Sequence, residues 1–164
     1  MSFFLLRRPA LLVVTILLTA LPAAAAKDEW LPITDEERQL KEVPGNPGAP
    51  AVLLYRHVET DDVDAVERHY YRIKILTEEG RKYADVELAY WKGIPWVEEV
   101  KARLARPDGT MAEFQGKIFE KVLAKHKGVS ILAKTFTFPE VEVGSILEYR
   151  YKMRWDRWRY RAPE

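Results

Sequence analysis

The chain has 164 residues, with 26 Lys or Arg against 25 Asp or Glu, and no Cys. That balance excludes the strong positive field of a general nucleic-acid binder, and the missing thiol excludes disulfides and a cysteine nucleophile. The size suits one domain that buries enough apolar surface without cross-links.

The chain opens on "MSFFLLRRPALLVVTILLTALPAAAAK", in which Arg7 and Arg8 precede an apolar run from Ala10 to Leu21 and then small residues. This is the pattern of a secretory leader, with Ala24 and Ala26 fitting the small-x-small cut. An uncleaved anchor is the alternative, but the run is shorter than the ~20 residues of a comfortable membrane span. Residues 1–26 are expected to be removed, leaving a periplasmic or secreted chain of 138 residues with no membrane span. The leader takes two Arg and no acid with it, so the net charge passes from +1 to −1.

Residues 27–50 read as an entry segment. In "ITDEERQLKE", Thr34 with Glu37 three residues on makes a capping box, which predicts one short helix over 35–41. "VPGNPGAP" then holds three Pro and two Gly in eight residues and ends it in a linker.

From Ala51 the period changes to two. "AVLLYRHV" is a β-rich run, bounded by the linker and by "ETDDVD". In "VERHYYRIKIL" one face carries His69, Tyr71, Ile73 and Ile75, and the other carries Arg68, Tyr70, Arg72 and Lys74, the pattern of a half-buried strand. "TEEGRK" carries a turn glycine. "YADVELAYW" places Ala84, Val86, Leu88 and Tyr90 inward, with Asp85 and Glu87 outward.

Residues 97–125 fit two readings. Val97, Val100 and Leu104 have helical spacing, yet Val100, Ala102 and Leu104 also alternate with Lys101 and Arg103, and "RPDGT" is strong turn chemistry for a hairpin. "ILAKTFTFP" reads as a strand and "EVEVG" as a turn. In the last 21 residues, Leu147, Tyr149, Tyr151, Met153 and Trp155 alternate with Glu148, Arg150, Lys152, Arg154 and Asp156. That predicts one long strand paving a sheet face with aromatics. Trp158 and Tyr160 break the phase, which puts a bulge or the strand end near residues 156–157.

"WLPITDEER", "PGAPAVLLY", "YRIKILTEEGRKYADVEL", "PDGT" and "AKTFTFPEVEVGSILEYRY" occur in that order. The set resembles the domain of unknown function 3857, a bacterial module that follows a signal peptide and precedes a transglutaminase-like domain. The resemblance spans residues 30–151. It implies an immunoglobulin-like β-sandwich, and hence strands over 97–125. It also implies further strands after the Gly-Ser-Ile-Leu-Glu-Tyr-Arg-Tyr strand, so Leu147–Trp155 is expected to be an edge lacking its C-terminal partners. It supplies no catalytic residues.

The residues themselves offer little chemistry. Ser145 follows a turn glycine, and His57, His69 and His126 are isolated, His69 on an apolar face where packing is its expected role. No zinc spacing is present. "ETDDVD" lacks the turn glycine and downstream Glu of a calcium loop, and Asp85 and Glu87, two apart on a strand, make no opposed pair across a sugar. No metal and no cofactor is expected. Trp91, Trp96, Trp155 and Trp158 are the ligand-binding candidates, since exposed indoles stack on sugars and pair with cations. Against them stands ordinary sheet or interface packing, and a cationic membrane-active tail is disfavoured by the period of two.

The expected architecture is a leader over 1–26, a helix and linker over 27–50, and a mostly β, sandwich-like domain over 51–164 with C-terminal strands missing. The expected function is a non-enzymatic accessory module that packs against, or presents substrate to, a transglutaminase-like domain absent from this chain. The alternative is a free-standing envelope module for glycan or peptidoglycan.

Overall fold

The computed structural model describes residues 30–93 and 95–155. The expected leader, the phase slip at 156–157 and Trp158 therefore lie outside the described residues. The chain divides after Pro32 into two units; the first is described only at 30–32, and every element below belongs to the second.

Helix α1 spans Asp35–Gln39 and begins as its capping box dictates: Glu37 N donates to Thr34 Oγ1 (3.2 Å) and Thr34 N to Glu37 Oε2 (2.8 Å). It stops two residues earlier than expected, because Leu40 is extended. The linker is two successive Pro-Gly turns. Asn46 N reaches Val43 O and Ala49 N reaches Asn46 O, with Gly45 and Gly48 at φ of 79° and 81°, the conformation that a type II turn demands after proline.

Among the described residues eight strands follow: β1 (Ala51–Asp61), β2 (Val66–Ile75), β3 (Asp85–Trp91), β4 (Trp96–Ala105), β5 (Met111–Glu113), β6 (Phe119–His126), β7 (Val129–Thr137) and β8 (Ile146–Arg154). They form two antiparallel sheets, ordered β1-β2-β8-β4-β5 and β3-β7-β6. The fold is thus mostly β and sandwich-like, with one short helix. The ambiguous stretch is strands. The "RPDGT" turn closes the β4–β5 hairpin, with Arg106 N bonded to Thr110 O, Thr110 N bonded to Asp108 Oδ1, and Gly109 at φ 89°.

Two expectations fail. "TEEGRK" is not a simple turn: Glu78–Ala84 forms a 3-10 helix that carries the chain from one sheet to the other. Gly80 sits on its buried side, where a Cβ would fall 1.9 Å from Pro50 O, the carbonyl that already accepts from Leu76 N and Thr77 N. More importantly, β8 is not an edge. It is the central strand of the five, paired with β2 along Lys74↔Ile146 to Val66↔Arg154 and with β4 along Ala105↔Ile146 to Trp96↔Arg154. Alternation reports which face is apolar; it carries no information about which strands lie alongside.

The core lies between the sheets. Val86, Leu88, Tyr90, Leu132 and Phe136 of the smaller sheet meet Ile75, Val97, Ala102, Leu104 and Leu147 of the larger. Ala84, Val86, Leu88 and Tyr90 face inward as their spacing predicts.

Candidate functional site

The tryptophans were the sequence's sharpest candidates, and the fold separates them. Val97 is buried, so its neighbour Trp96 projects from the outer face of the five-stranded sheet, where its indole Nε1 donates to Glu98 Oε2 (3.2 Å). Tyr90 is buried, so Trp91 projects from the outer face of the other sheet. The two flank one short connection but point to opposite outer faces. They are 39% and 53% exposed. Trp155 shares the parity of the inward residues Leu147 and Tyr149, is half-buried, and its backbone N–H donates to Ala65 O (3.1 Å). These three do not line one groove, and no ring contact among the described residues joins them.

A charged cluster that alternation assigned to solvent lies buried instead. Arg72 on β2, Glu148 on β8 and Arg103 on β4 are cross-strand neighbours on the outer face of the larger sheet. Glu148 is fully buried and Arg72 is 3% exposed. Arg72 Nε donates to Glu148 Oε1 (2.9 Å), Arg103 Nε donates to Glu148 Oε2 (2.5 Å), and the Tyr70 hydroxyl also donates to Glu148. Arg72 Nη1 meanwhile grips both oxygens of Glu37 on α1, at 2.8 and 2.7 Å. The entry segment is therefore the cover under which Arg72 and Lys74, on the outer face of β2, are buried. Burial works against the charge on Arg72, but its bonds to Glu37 and Glu148 outweigh that and hold its pKa above the ordinary value. Burial, then the Glu148 hydrogen bond and charge, push Tyr70 up to about 12. The sequence carried one signal for this cluster: opposite charges at the centres of neighbouring strands.

Lys74, two residues on, is 2% exposed. Its Nζ donates to Arg38 O (2.7 Å) and Gly144 O (3.4 Å). Burial, then the nearby Arg38 charge, lower its pKa, and Glu37 partly offsets both. Lys74 is among the residues lining a cleft of about 760 Å³ between the end of α1, the end of β2 and the turn at 143–144.

The inner face of β2 and β8 carries a ladder of rings. His69 stacks on Tyr151 (4.6 Å between centroids) and Tyr71 on Tyr149 (5.0 Å). His69 Nε2 lies 2.9 Å from Glu67 Oε2, while its Nδ1 has no hydrogen-bond partner among the described residues. His69 is thus a packed residue with one hydrogen bond, the role expected of it. Ser145 is buried, its hydroxyl accepting from Glu142 N (3.1 Å), and acts as the turn-to-strand residue it was read as. "ETDDVD" closes the β1–β2 hairpin, with Asp64 N bonded to Asp61 Oδ1. Among the described residues no three carboxylate or imidazole groups gather as a metal cage.

The last feature is β6. All eight of its residues are exposed, Phe119 and Val122 at 62% each, and it pairs with β7 on one side only among the described residues. Sequence reading left this segment undecided between helix and strand, and so could not see an edge there.

A family model described as Domain of Unknown Function with solved-structure structure (DUF3857) matches residues 61–163. No curated protein matches the chain, and no solved structure matches it.

Proposed function

We propose that this chain, which belongs to the DUF3857 family, is a non-enzymatic exported accessory module that docks on, or presents substrate to, a transglutaminase-like domain. The observation that carries this reading is β6. An edge strand leaves a row of backbone donors and acceptors open to pairing, and folded proteins usually cover or charge such edges. Here the edge also exposes apolar side chains on both of its faces, Phe119 beside Thr135 on the outer face and Val122 beside Leu132 on the other, with Ile118 and Leu123 exposed as well. Backbone pairing with side-chain pockets is how a sheet edge recognises an extended partner segment. Further support comes from the leader-like start, which suits the cell envelope.

The test uses a transglutaminase-like domain from a protein in which the two modules stand in tandem. Mixed with this chain, it should slow hydrogen exchange along 119–126, and Val122→Lys should weaken the complex at least tenfold. Binding that leaves those amides unchanged, or no binding at all, would remove the reading.

The exposure of Trp91 and Trp96 favours a second reading, an envelope glycan or peptidoglycan module. On opposite faces, each indole would stack on a sugar alone. Soluble peptidoglycan fragments should then quench tryptophan fluorescence, and Trp91→Ala or Trp96→Ala should reduce that quenching. Unchanged fluorescence at millimolar fragment eliminates it.

A further inference from the structure

The cleft beside Lys74 has a chemistry that the docking reading does not use. Three cations border it, Arg38, Lys41 and Lys74, and among the described residues no acidic one lines it. Among the described residues, the side chains of Arg38 and Lys41 make no hydrogen bond or ion pair, and Lys74 bonds only to two backbone carbonyls. An ammonium carries three donors, so one of the three on Lys74 is left over. The nearest acid in the electrostatic balance, Glu37, already has both oxygens on Arg72. The rest of the wall is the amide side chain of Gln39, Gly144, and an apolar stretch made by Leu40, Ile75, Leu76 and the exposed Val143.

Burying an ammonium without a counter-charge is costly, and a second cation close by adds to the cost. An anion held in the cleft would relieve that cost. The apolar wall decides the class. A phosphate or sulfate would want a cradle of donors on every side; a carboxylate with an apolar tail matches one charged corner and an aliphatic wall. We propose that this cleft binds a carboxylate bearing an apolar chain, its oxygens set between Lys74, Arg38 and Lys41 and its chain against Leu40, Leu76 and Val143. That chemistry has two sources, a fatty acid and the free C-terminus of an apolar peptide.

The experiment is a titration of the full chain by two-dimensional NMR, with decanoate, decanol, and a short peptide ending in Leu-Val as free acid or amide. At least one carboxylate should give saturable shifts at residues 74–76 and 143–144. Its uncharged counterpart should bind at least tenfold more weakly. Whichever of decanoate and free-acid peptide binds more tightly identifies the source. Arg38→Gln with Lys41→Gln, both on exposed side chains, should weaken binding at least tenfold while leaving the rest of the spectrum in place; this pair keeps the test sound if Lys74→Met fails to fold. Equal binding of acid and uncharged counterpart overturns the proposal. So does an unchanged affinity in the double variant, or no shift at those residues at millimolar concentration. β6 plays no part in this readout, so the two proposals fail separately.

Discussion

Glu148 stands fully buried between two arginines and ties the three central strands of the larger sheet together through its side chain. Both its oxygens are used, by Arg72 and Tyr70 on one side and Arg103 on the other. Removing one partner of a buried ion pair leaves the other charge stranded, at a cost of about 3–5 kcal/mol. Glu148→Ala should lower the unfolding free energy by that order in a urea titration; a loss below about 1 kcal/mol, typical of an exposed pair, would show that the cluster is solvated. Gly80 makes a steric version of the same point. A Cβ there meets the Pro50 carbonyl, so Gly80→Ala should cost about 1–3 kcal/mol as overpacking does, and a neutral result would mean that the 3-10 helix shifts freely. The tyrosines set the alkaline limit. Tyr70 and Tyr149 are each held up at about 12, chiefly by burial, against an ordinary tyrosine value of 10.0. The folded protein then keeps protons that the unfolded chain releases, so stability is full below about pH 10 and falls as pH rises toward 12. Lys74 acts in the opposite sense: its pKa is lowered from 10.5, so stability gains with pH across the window just below that value. Burial raises Tyr90 and Tyr151 as well, so the tyrosines outweigh one lysine, and a melting temperature that holds steady from pH 9 to 12 would contradict the balance.

Elements show which parts of the fold were legible. Period-two runs located β2, β3, β7 and β8 because each carries a continuous apolar face, and the capping box located α1 because both of its partners are local. What was not legible is what lies next to what. The outer face of β2 reads as solvent until a five-residue helix from 35 positions earlier in the chain is placed on it through Glu37 and Arg72. A helix that short has no stability of its own in water; it persists because Glu37 and Lys74 tie it to the sheet. Likewise β8, read as an outer edge, is bonded on both sides. Its central amides, 147–152, should be among the slowest to exchange, while those of β6 that do not bond to β7 should be among the fastest. Equal rates in the two strands would return β8 to the edge. The tryptophans show the same gap: closeness in sequence across a turn between two sheets puts Trp91 and Trp96 on opposite outer faces.

At the scale of the whole molecule, the domain is larger than the family match, and the difference is energetic. The match starts at Asp61, the last residue of β1. A fragment cut to 61–163 would lose α1, the linker and all of β1 but that residue. It would also lose ten cross-strand pairs to β2, since Asp61↔Val66 alone could not hold a strand. Its β2 would become an edge with open backbone groups. The outer face would be uncovered too, leaving Arg72 without Glu37 and Lys74 without the Arg38 carbonyl. Pro50, whose carbonyl fixes both the end of β2 and the approach of Gly80, would be gone. Each loss is of the kind that costs a few kcal/mol, against a total stability of about 5–15 kcal/mol for a domain. The 61–163 fragment should therefore show no cooperative thermal transition by circular dichroism, whereas 33–164 should melt in one step. A 61–163 fragment that melts cooperatively within a few degrees of 33–164 would show that the entry segment and β1 are accessories to a fold that stands without them.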